Sequence, residues 1–231
     1  QTSLSTLFSK MIQTNLALKK LQGIKPKGIK PRSNSNLEHL LDLRDEILYR
    51  TLFLHSTKQP GFYYELATPM VIRLENVDYD ETDLRDFLSA NLNNNLPKIA
   101  SRALGNLTGA LLSLLTIRNH KKNKPCYFHF DGKGNYFNNL FYCMGQHDIV
   151  VVENIKGKPF GGIATKDSPK NCMFQIAIGC DANLINIENA YSDTYFDIVN
   201  YLKNIDSVHQ DKLYELVSSI HRFRGKQRFK L

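Results

Sequence analysis

Two pairs of cysteine and histidine residues have the spacing of zinc ligands. Two residues separate Cys126 from His129, and three separate Cys143 from His147. A structural zinc ion takes four sulfur or nitrogen ligands of this kind. Side chains alternate along an extended strand, however, so Cys126 and His129 would point to opposite faces of the strand expected there. We therefore predict no metal and no cofactor, and these four residues are the candidate ligands should zinc be bound.

Two glycine-rich segments have the composition of phosphate-binding loops. They are 132–134 (Gly-Lys-Gly) and 157–162 (Gly-Lys-Pro-Phe-Gly-Gly). Neither follows a strand and opens a helix, as phosphate-binding patterns require, so hairpin turns explain them better. The chain also has no nucleophile elbow, metalloprotease helix pattern or cluster of carboxylates. The sequence thus favours a non-enzymatic role.

Basic side chains are concentrated in three segments that contain no acidic residue: 10–32, 118–124 and 221–230. Residues 38–220 hold 18 basic and 22 acidic side chains, so the formal net charge of +8 belongs to the two ends of the chain. Lysine and arginine bind phosphates, and the phenylalanines of the basic tail can stack on exposed bases. We predict that RNA contacts Lys19, Lys20, Lys25, Lys27, Lys30, Arg32, Lys121, Lys122, Lys124, Arg222, Arg224, Lys226 and Arg228.

The N-terminal basic segment combines two structural patterns. Apolar residues recur at three- and four-residue spacing over 3–21, which predicts a basic amphipathic helix. The tetrapeptide Gly-Ile-Lys-Pro then occurs twice within 23–31, and its glycines and prolines predict an extended arm. Acid-free amphipathic N-termini are also typical of mitochondrial targeting segments, and four cysteines without a Cys-x-x-Cys pair indicate a reducing compartment. The expected location is the mitochondrial matrix, with the cytoplasm as the alternative.

The central part of the chain changes from helical to strand-like patterns. Capping signals and apolar periodicity predict helices at about 36–54, 82–93 and 97–117. Strands are expected within 62–76 and at 126–130, 148–153, 160–165, 172–179 and 183–187, and further helices at 192–204 and 207–221. Helices, then strands joined by turns, then helices predict an α+β fold with a central, mostly antiparallel sheet and basic terminal extensions.

These patterns divide the chain into three parts. Residues 1–34 form the basic helix and arm, residues 35–220 a single α+β domain, and residues 221–231 the basic tail. We expect the domain to be helical over 35–117, strand-rich over 126–187 and helical over 192–220.

A series of short patterns between residues 127 and 178 resembles the first half of a TLDc domain. They are Phe130-Asp131-Gly132, a short helix at 137–143, the apolar strand 149–152, the segment 157–164 (Gly-Lys-Pro-Phe-Gly-Gly-Ile-Ala) and the strand 172–176. In that family an Asp-Gly turn, a short helix, an apolar strand, a Phe-Gly-Gly turn and a Phe-rich strand follow in this order. The resemblance implies a non-enzymatic adaptor, linked to oxidation resistance and to binding of the vacuolar proton pump, without catalytic residues.

The charge distribution points to a different role. The arrangement of a globular part with basic extensions resembles that of ribosomal proteins, because thin basic arms neutralise phosphates inside folded RNA. We predict a non-enzymatic, RNA-associated structural component of a large ribonucleoprotein such as the mitochondrial ribosome, with rRNA-like RNA and neighbouring proteins as partners and no small-molecule substrate. Two alternatives stay open: a TLDc-like protein-binding adaptor, and a peripheral membrane protein bound through residues 3–21.

Overall fold

Helices and strands occupy separate parts of the chain. The computed structural model describes residues 36–56, 74, 76–160, 173–181 and 184–188, and positions 202, 204–207, 209, 211–213 and 215. Three helices come first: α1 (Asn36–Ser56), α2 (Glu81–Ala90) and α3 (Lys98–Lys121). Four strands follow: β1 (Tyr127–Asp131), β2 (Ile149–Glu153), β3 (Met173–Ile178) and β4 (Leu184–Glu188). The helices lie where the apolar periodicity predicts them.

The helices pack through leucine-rich faces into one core. α3 is buried along most of its length, as its apolar residues on most faces predict. α2 begins at a capping box: the Asp80 carboxylate accepts hydrogen bonds from the N–H groups of Thr82 and Asp83, at 2.8 and 2.9 Å, and Asp83 accepts one from the Asp80 N–H. Because the cap satisfies backbone donors that the helix leaves open, it fixes where α2 starts.

The four strands form a mixed sheet in the order β1-β2-β3-β4. β1, β2 and β3 run parallel, and only β4 is antiparallel to its neighbour β3. The expectation of a mostly antiparallel sheet is therefore wrong, although helices together with a sheet fit the α+β class. The reason lies in the connections, because 132–148 and 154–172 each exceed about a dozen residues, enough for a crossover to a parallel strand.

Both faces of the sheet bury apolar side chains at β2 and β3, and the two faces differ at β1. The face toward the helices is apolar and shares one core with their leucines, through Phe128, Phe130, Val150 and Val152. β2 is buried at all five positions, whereas β1 alternates between buried and partly exposed side chains. A short strand that is buried throughout lies in a sheet covered on both faces. Polar side chains thus come near solvent at β1.

One side of α3 is formed by small residues at four-residue spacing: Ser101, Gly105, Gly109 and Ser113. The turns at 138–145 pack closely against it. A Cβ atom added at Gly105 would lie 2.0 Å from the Asn139 carbonyl oxygen, and one at Gly109 would lie 2.8 Å from that of Tyr142. The glycines are therefore required by this close approach of two backbones.

Hydroxyl groups of α3 also hold this segment. Thr108 Oγ1 accepts a hydrogen bond from the Phe141 N–H, and Ser113 Oγ accepts one from the Gly145 N–H, each at 3.0 Å. Every second residue over 139–143 has a positive φ, of 61°, 54° and 51°. Repeated left-handed residues interrupt helical geometry, so the segment forms turns rather than the expected short helix.

Several predicted elements lie outside the described residues. They are the N-terminal helix and arm, nearly all of 62–76, the strand at 160–165 beyond Phe160, most of the two last helices and the basic tail. The three-part division of the chain stays a prediction.

Candidate nucleic-acid interface

Three of the predicted RNA contacts lie within the described residues. Lys121 ends α3, and Lys122 and Lys124 follow in the turn before β1; all three side chains are exposed. We call these residues the lysine turn. The other predicted contacts lie outside the described residues: Lys19, Lys20, Lys25, Lys27, Lys30, Arg32, Arg222, Arg224, Lys226 and Arg228.

The backbone of the lysine turn is tied to the end of α3. The N–H groups of Lys122 and Lys124 both donate to the Asn119 carbonyl, each at 2.9 Å, and Asn123 donates to that of His120, also at 2.9 Å. Asn123 takes the left-handed conformation, with φ 53°, that commonly ends a helix. These bonds satisfy carbonyls that the helix leaves open and fix the directions in which the lysines leave the backbone.

Two contacts attach the lysine turn to the rest of the fold. His120 Nε2 lies 2.8 Å from Asp148 Oδ2, and the same oxygen accepts a hydrogen bond from the Cys126 N–H at 2.6 Å. Arg118 Nη2 donates to the carbonyls of residues 74 and 77, at 3.1 and 2.8 Å. The Arg118 guanidinium therefore braces the fold, whereas the three lysines present their charges to solvent.

Tyr79 shows how tightly Arg118 is packed. The Arg118 guanidinium carbon lies 4.7 Å from the centre of the Tyr79 ring, and the Tyr79 hydroxyl donates to the Leu111 carbonyl at 2.6 Å. Burial raises the pKa of Tyr79 well above its usual value, and the nearby positive charge of Arg118 offsets only part of that increase. The pair thus belongs to the core that supports the lysine turn.

The four candidate zinc ligands have different neighbours. Cys126 is buried, and burial raises the pKa of its thiol to about 11, whereas Cys143 is exposed. His147 Nδ1 lies 2.9 Å from a carbonyl oxygen, and its Nε2 lies 3.2 Å from Gln175 Nε2. Both His147 nitrogens are thus engaged. Within the part of the chain that the structure describes, no group of three or more histidine, cysteine, aspartate or glutamate side chains is placed to hold a metal ion.

A buried polar cluster lies at the carboxyl ends of β1 and β2. The Glu153 side chain is only 1% exposed; its Oε1 accepts a hydrogen bond from Ser207 Oγ, and its Oε2 lies 3.5 Å from His129 Nε2. Neither Oε2 nor this Nε2 has a hydrogen-bond partner within the described residues. Because a buried carboxylate without partners is costly, the Ser207 hydroxyl is an important partner of Glu153.

The same cluster continues through a chain of side-chain hydrogen bonds. His209 Nε2 lies 2.8 Å from Asn154 Oδ1, and Asn154 Nδ2 donates to Asp131 Oδ1 at 2.9 Å. Asp131 Oδ1 also accepts the Lys133 N–H at 2.8 Å. These bonds join residues after β1 and β2 to residues 207 and 209, which lie far along the sequence.

This cluster was not predicted from the sequence. Its only local signal is an acidic residue at the end of an apolar run, which occurs at Asp131 and at Glu153. Such residues become neighbours because carboxyl ends of parallel strands meet at one edge of a sheet, and the sheet was expected to be antiparallel. The arrangement holds residues 207 and 209 against the sheet and fixes the loop that follows β1.

Within the described residues, no helix combines the length and the apolar character needed to cross a bilayer. The amphipathic segment 3–21, on which the peripheral-membrane alternative depends, lies outside them.

No protein-family model, curated protein or solved structure matches the chain.

Proposed function

We propose that the protein is a non-enzymatic, RNA-associated component of a large ribonucleoprotein, such as the mitochondrial ribosome. It contacts RNA through its basic termini and through the lysine turn, and it contacts neighbouring proteins of the complex through the rest of its surface. The observation that carries the proposal is the lysine turn, where three exposed lysines leave a backbone held at the end of α3.

The lysine turn differs in charge from the rest of the chain between the basic ends. That part of the chain has more acidic than basic residues, so its three exposed lysines do not follow from a generally basic composition. The helix dipole favours positive charge at a helix C-terminus, and this explains why the last residue of α3, Lys121, is a lysine. Lys122 and Lys124 lie beyond the helix and extend the positive surface toward β1. Such a surface suits phosphates, and the terminal segments add ten further predicted contacts.

The test is the salt dependence of RNA binding by the full chain. Each phosphate contact contributes about 0.7 to 0.9 to the slope of log affinity against log salt concentration. We expect the double variant Lys121→Ala/Lys122→Ala to lower that slope by about 1.5 for a structured ribosomal RNA fragment. The matched control removes two exposed lysines elsewhere, Lys98→Ala/Lys212→Ala, and should leave the slope unchanged.

Deletion of the basic ends gives the second arm of this test. A chain without residues 1–34 and 221–231 should lose most of its RNA retention at moderate salt. Unchanged retention in this deletion, together with an unchanged slope in the Lys121/Lys122 variant, contradicts the proposal.

A TLDc-like adaptor is the second candidate. The Asp131-Gly132 turn, the apolar β2 and β3 follow in the order that favours it, although turns at 138–143 replace the short helix of that family. An adaptor of this kind would bind its protein partner regardless of nuclease treatment and would not retain RNA.

Flotation of the full chain with anionic liposomes tests the peripheral-membrane alternative.

A further inference from the structure

One exposed aromatic side chain lies apart from the helices. The described residues expose three large apolar side chains, Tyr49, Phe53 and Tyr136. Tyr49 and Phe53 stack on each other along α1, with ring centres 6.3 Å apart. Tyr136, which is 41% exposed, lies instead in the loop that follows β1. An exposed tyrosine in a loop offers a ring face to a partner.

The backbone that carries Tyr136 is held on both sides. The Tyr136 N–H donates to Asn93 Oδ1 at 2.9 Å, and the Asn93 N–H donates to the Tyr136 carbonyl at 2.8 Å. On the other side, Phe137 donates to the Lys156 carbonyl and Lys156 to the Asn135 carbonyl, each at 2.9 Å. A ring on a backbone fixed in this way loses little conformational freedom when it binds a partner.

Lysines lie in the segments next to Tyr136. Tyr136 and Lys156 are partners in an isolated parallel β-bridge, so their side chains leave neighbouring extended segments, roughly 4.8 Å apart, toward the same side. Lys133 lies three residues earlier in a tight turn with φ 51°, and Lys158 follows the bridge. All three lysine side chains are exposed. Three exposed lysines therefore lie in the two chain segments that meet at Tyr136.

Two acidic residues lie near this surface and are engaged by backbone donors. Asp131 Oδ1 accepts the Lys133 N–H, and Asp181 Oδ2 accepts the Gly157 N–H, each at 2.8 Å. The three lysine side chains are exposed, whereas each of these two carboxylates accepts a hydrogen bond from a backbone N–H.

We propose that Tyr136, Lys133 and Lys156 form a binding site for single-stranded RNA, in which an unpaired base stacks on the Tyr136 ring. The lysines meet the phosphates on either side of that base. Stacking on an aromatic ring beside basic groups is the usual way in which proteins hold unpaired nucleotides, and a paired base has no free face to offer. The inference rests on the proposed function for the class of ligand, but it assigns a second surface and a preference for single strands.

The chemistry of the surroundings favours RNA over a protein partner. Protein-binding patches are usually broad and apolar. Here the ring's neighbours are polar, and Asn93 Nδ2 donates to Asn135 Oδ1 at 2.8 Å beside it. One ring among amides and ammonium groups suits a base with its phosphates.

The experiment compares two probes on the full chain: a labelled single-stranded oligouridine, and an RNA duplex with the same number of phosphates. Tyr136→Ala should lower the affinity for the single strand about tenfold, which corresponds to about 1.4 kcal/mol. The affinity for the duplex should stay within about twofold, and Tyr136→Phe should retain the affinity for both because the ring is kept. The Lys121→Ala/Lys122→Ala variant should weaken both probes.

A second measurement does not depend on removing the ring. Lys133→Ala/Lys156→Ala should lower the salt slope for the single strand by about 1.4, since each single-strand phosphate contact contributes about 0.7. Circular dichroism should show unchanged folding in every variant, because the substituted side chains are exposed.

Each outcome separates the two proposals. Wild-type affinity for the single strand in both Tyr136→Ala and Lys133→Ala/Lys156→Ala overturns this inference and leaves the lysine-turn result standing. Equal losses for single strand and duplex in Tyr136→Ala also overturn it. If the wild-type chain binds neither RNA, the proposed function itself fails. If Tyr136→Ala instead abolishes self-association in sedimentation while RNA binding persists, the ring is a protein contact and the inference is wrong.

Discussion

Replacement of Gly105 by alanine tests the packing that supports the loop after β1. The added Cβ would lie 2.0 Å from the Asn139 carbonyl oxygen and 2.8 Å from Tyr142 Cβ. A close C···O contact is about 3.3 Å, so the turn at Asn139 must move away from α3 by about 1.3 Å. The atom that must move belongs to a backbone, which cannot rotate aside as a flexible side chain can.

The magnitude follows from opposing effects. Alanine favours a helix over glycine by about 1 kcal/mol, which stabilises the variant. Overpacking costs about 1 to 3 kcal/mol. The movement also stretches the hydrogen bonds of Ser101 with Asn138 and Asn139, both 3.0 Å long, and each is worth about 1 kcal/mol. We therefore expect Gly105→Ala to lower the free energy of unfolding by about 2 to 4 kcal/mol.

Urea denaturation followed by circular dichroism measures this free energy. The matched control is Gly145→Ala, whose added Cβ would meet the Ser113 side chain, with Oγ at 3.3 Å and Cβ at 3.8 Å. Its effect should stay below about 1 kcal/mol. If Gly105→Ala were as stable as the wild type, or more stable because of its helix propensity, the close approach of the turn to α3 would be incorrect.

Further predictions concern the buried groups. Ser207→Ala removes the hydroxyl that donates to the buried Glu153 carboxylate, and we expect it to lower the free energy of unfolding by about 1.5 to 3 kcal/mol. The control, Ser89→Ala at an exposed position, should have little effect in the same urea denaturation assay. Burial raises the pKa of Cys126 from 9.0 to about 11, so the folded state favours the neutral thiol. The stability that this thiol contributes is complete below pH 9 and declines between pH 9 and 11, and Cys126→Ser should flatten that decline in thermal melts. Tyr79→Phe removes the hydroxyl that donates to the buried Leu111 carbonyl and should lower the melting temperature by a few degrees in calorimetry; an unchanged value contradicts the buried hydrogen bond.

The helices follow from local sequence, and the direction of the strands does not. Pro97 marks the start of α3, and apolar residues on most faces of this helix indicate that it is buried. The position of α3 is therefore predictable. The segment 132–148 is rich in glycine and asparagine, which is typical of hairpin turns. It is instead a crossover that packs on the small-residue side of α3, and nothing local distinguishes a long turn-rich crossover from a hairpin.

Of the candidate sites, the lysine turn follows from local sequence, whereas the polar cluster and the Tyr136 site do not. Exposed lysines beyond a helix end are visible in the sequence, because charge and helix boundary are local properties. The contact of Ser207 with Glu153 joins residues 54 positions apart, and the pairing of Tyr136 with Lys156 depends on the parallel course of the chain. Such contacts depend on the direction of the strands. Because the sheet was expected to be mostly antiparallel, these contacts could not be predicted from the sequence.

The two proposed RNA contacts lie at opposite ends of β1. The lysine turn comes immediately before this strand, and Tyr136 lies in the loop that follows it. Five strand residues span roughly 16 Å, so one RNA molecule that reaches both contacts must cover at least that distance along the domain. Linked contacts on one ligand reinforce each other only when the ligand can span them. A stem that leads into an unpaired loop meets this condition, because its paired phosphates suit the lysines of the turn and its free bases suit the ring.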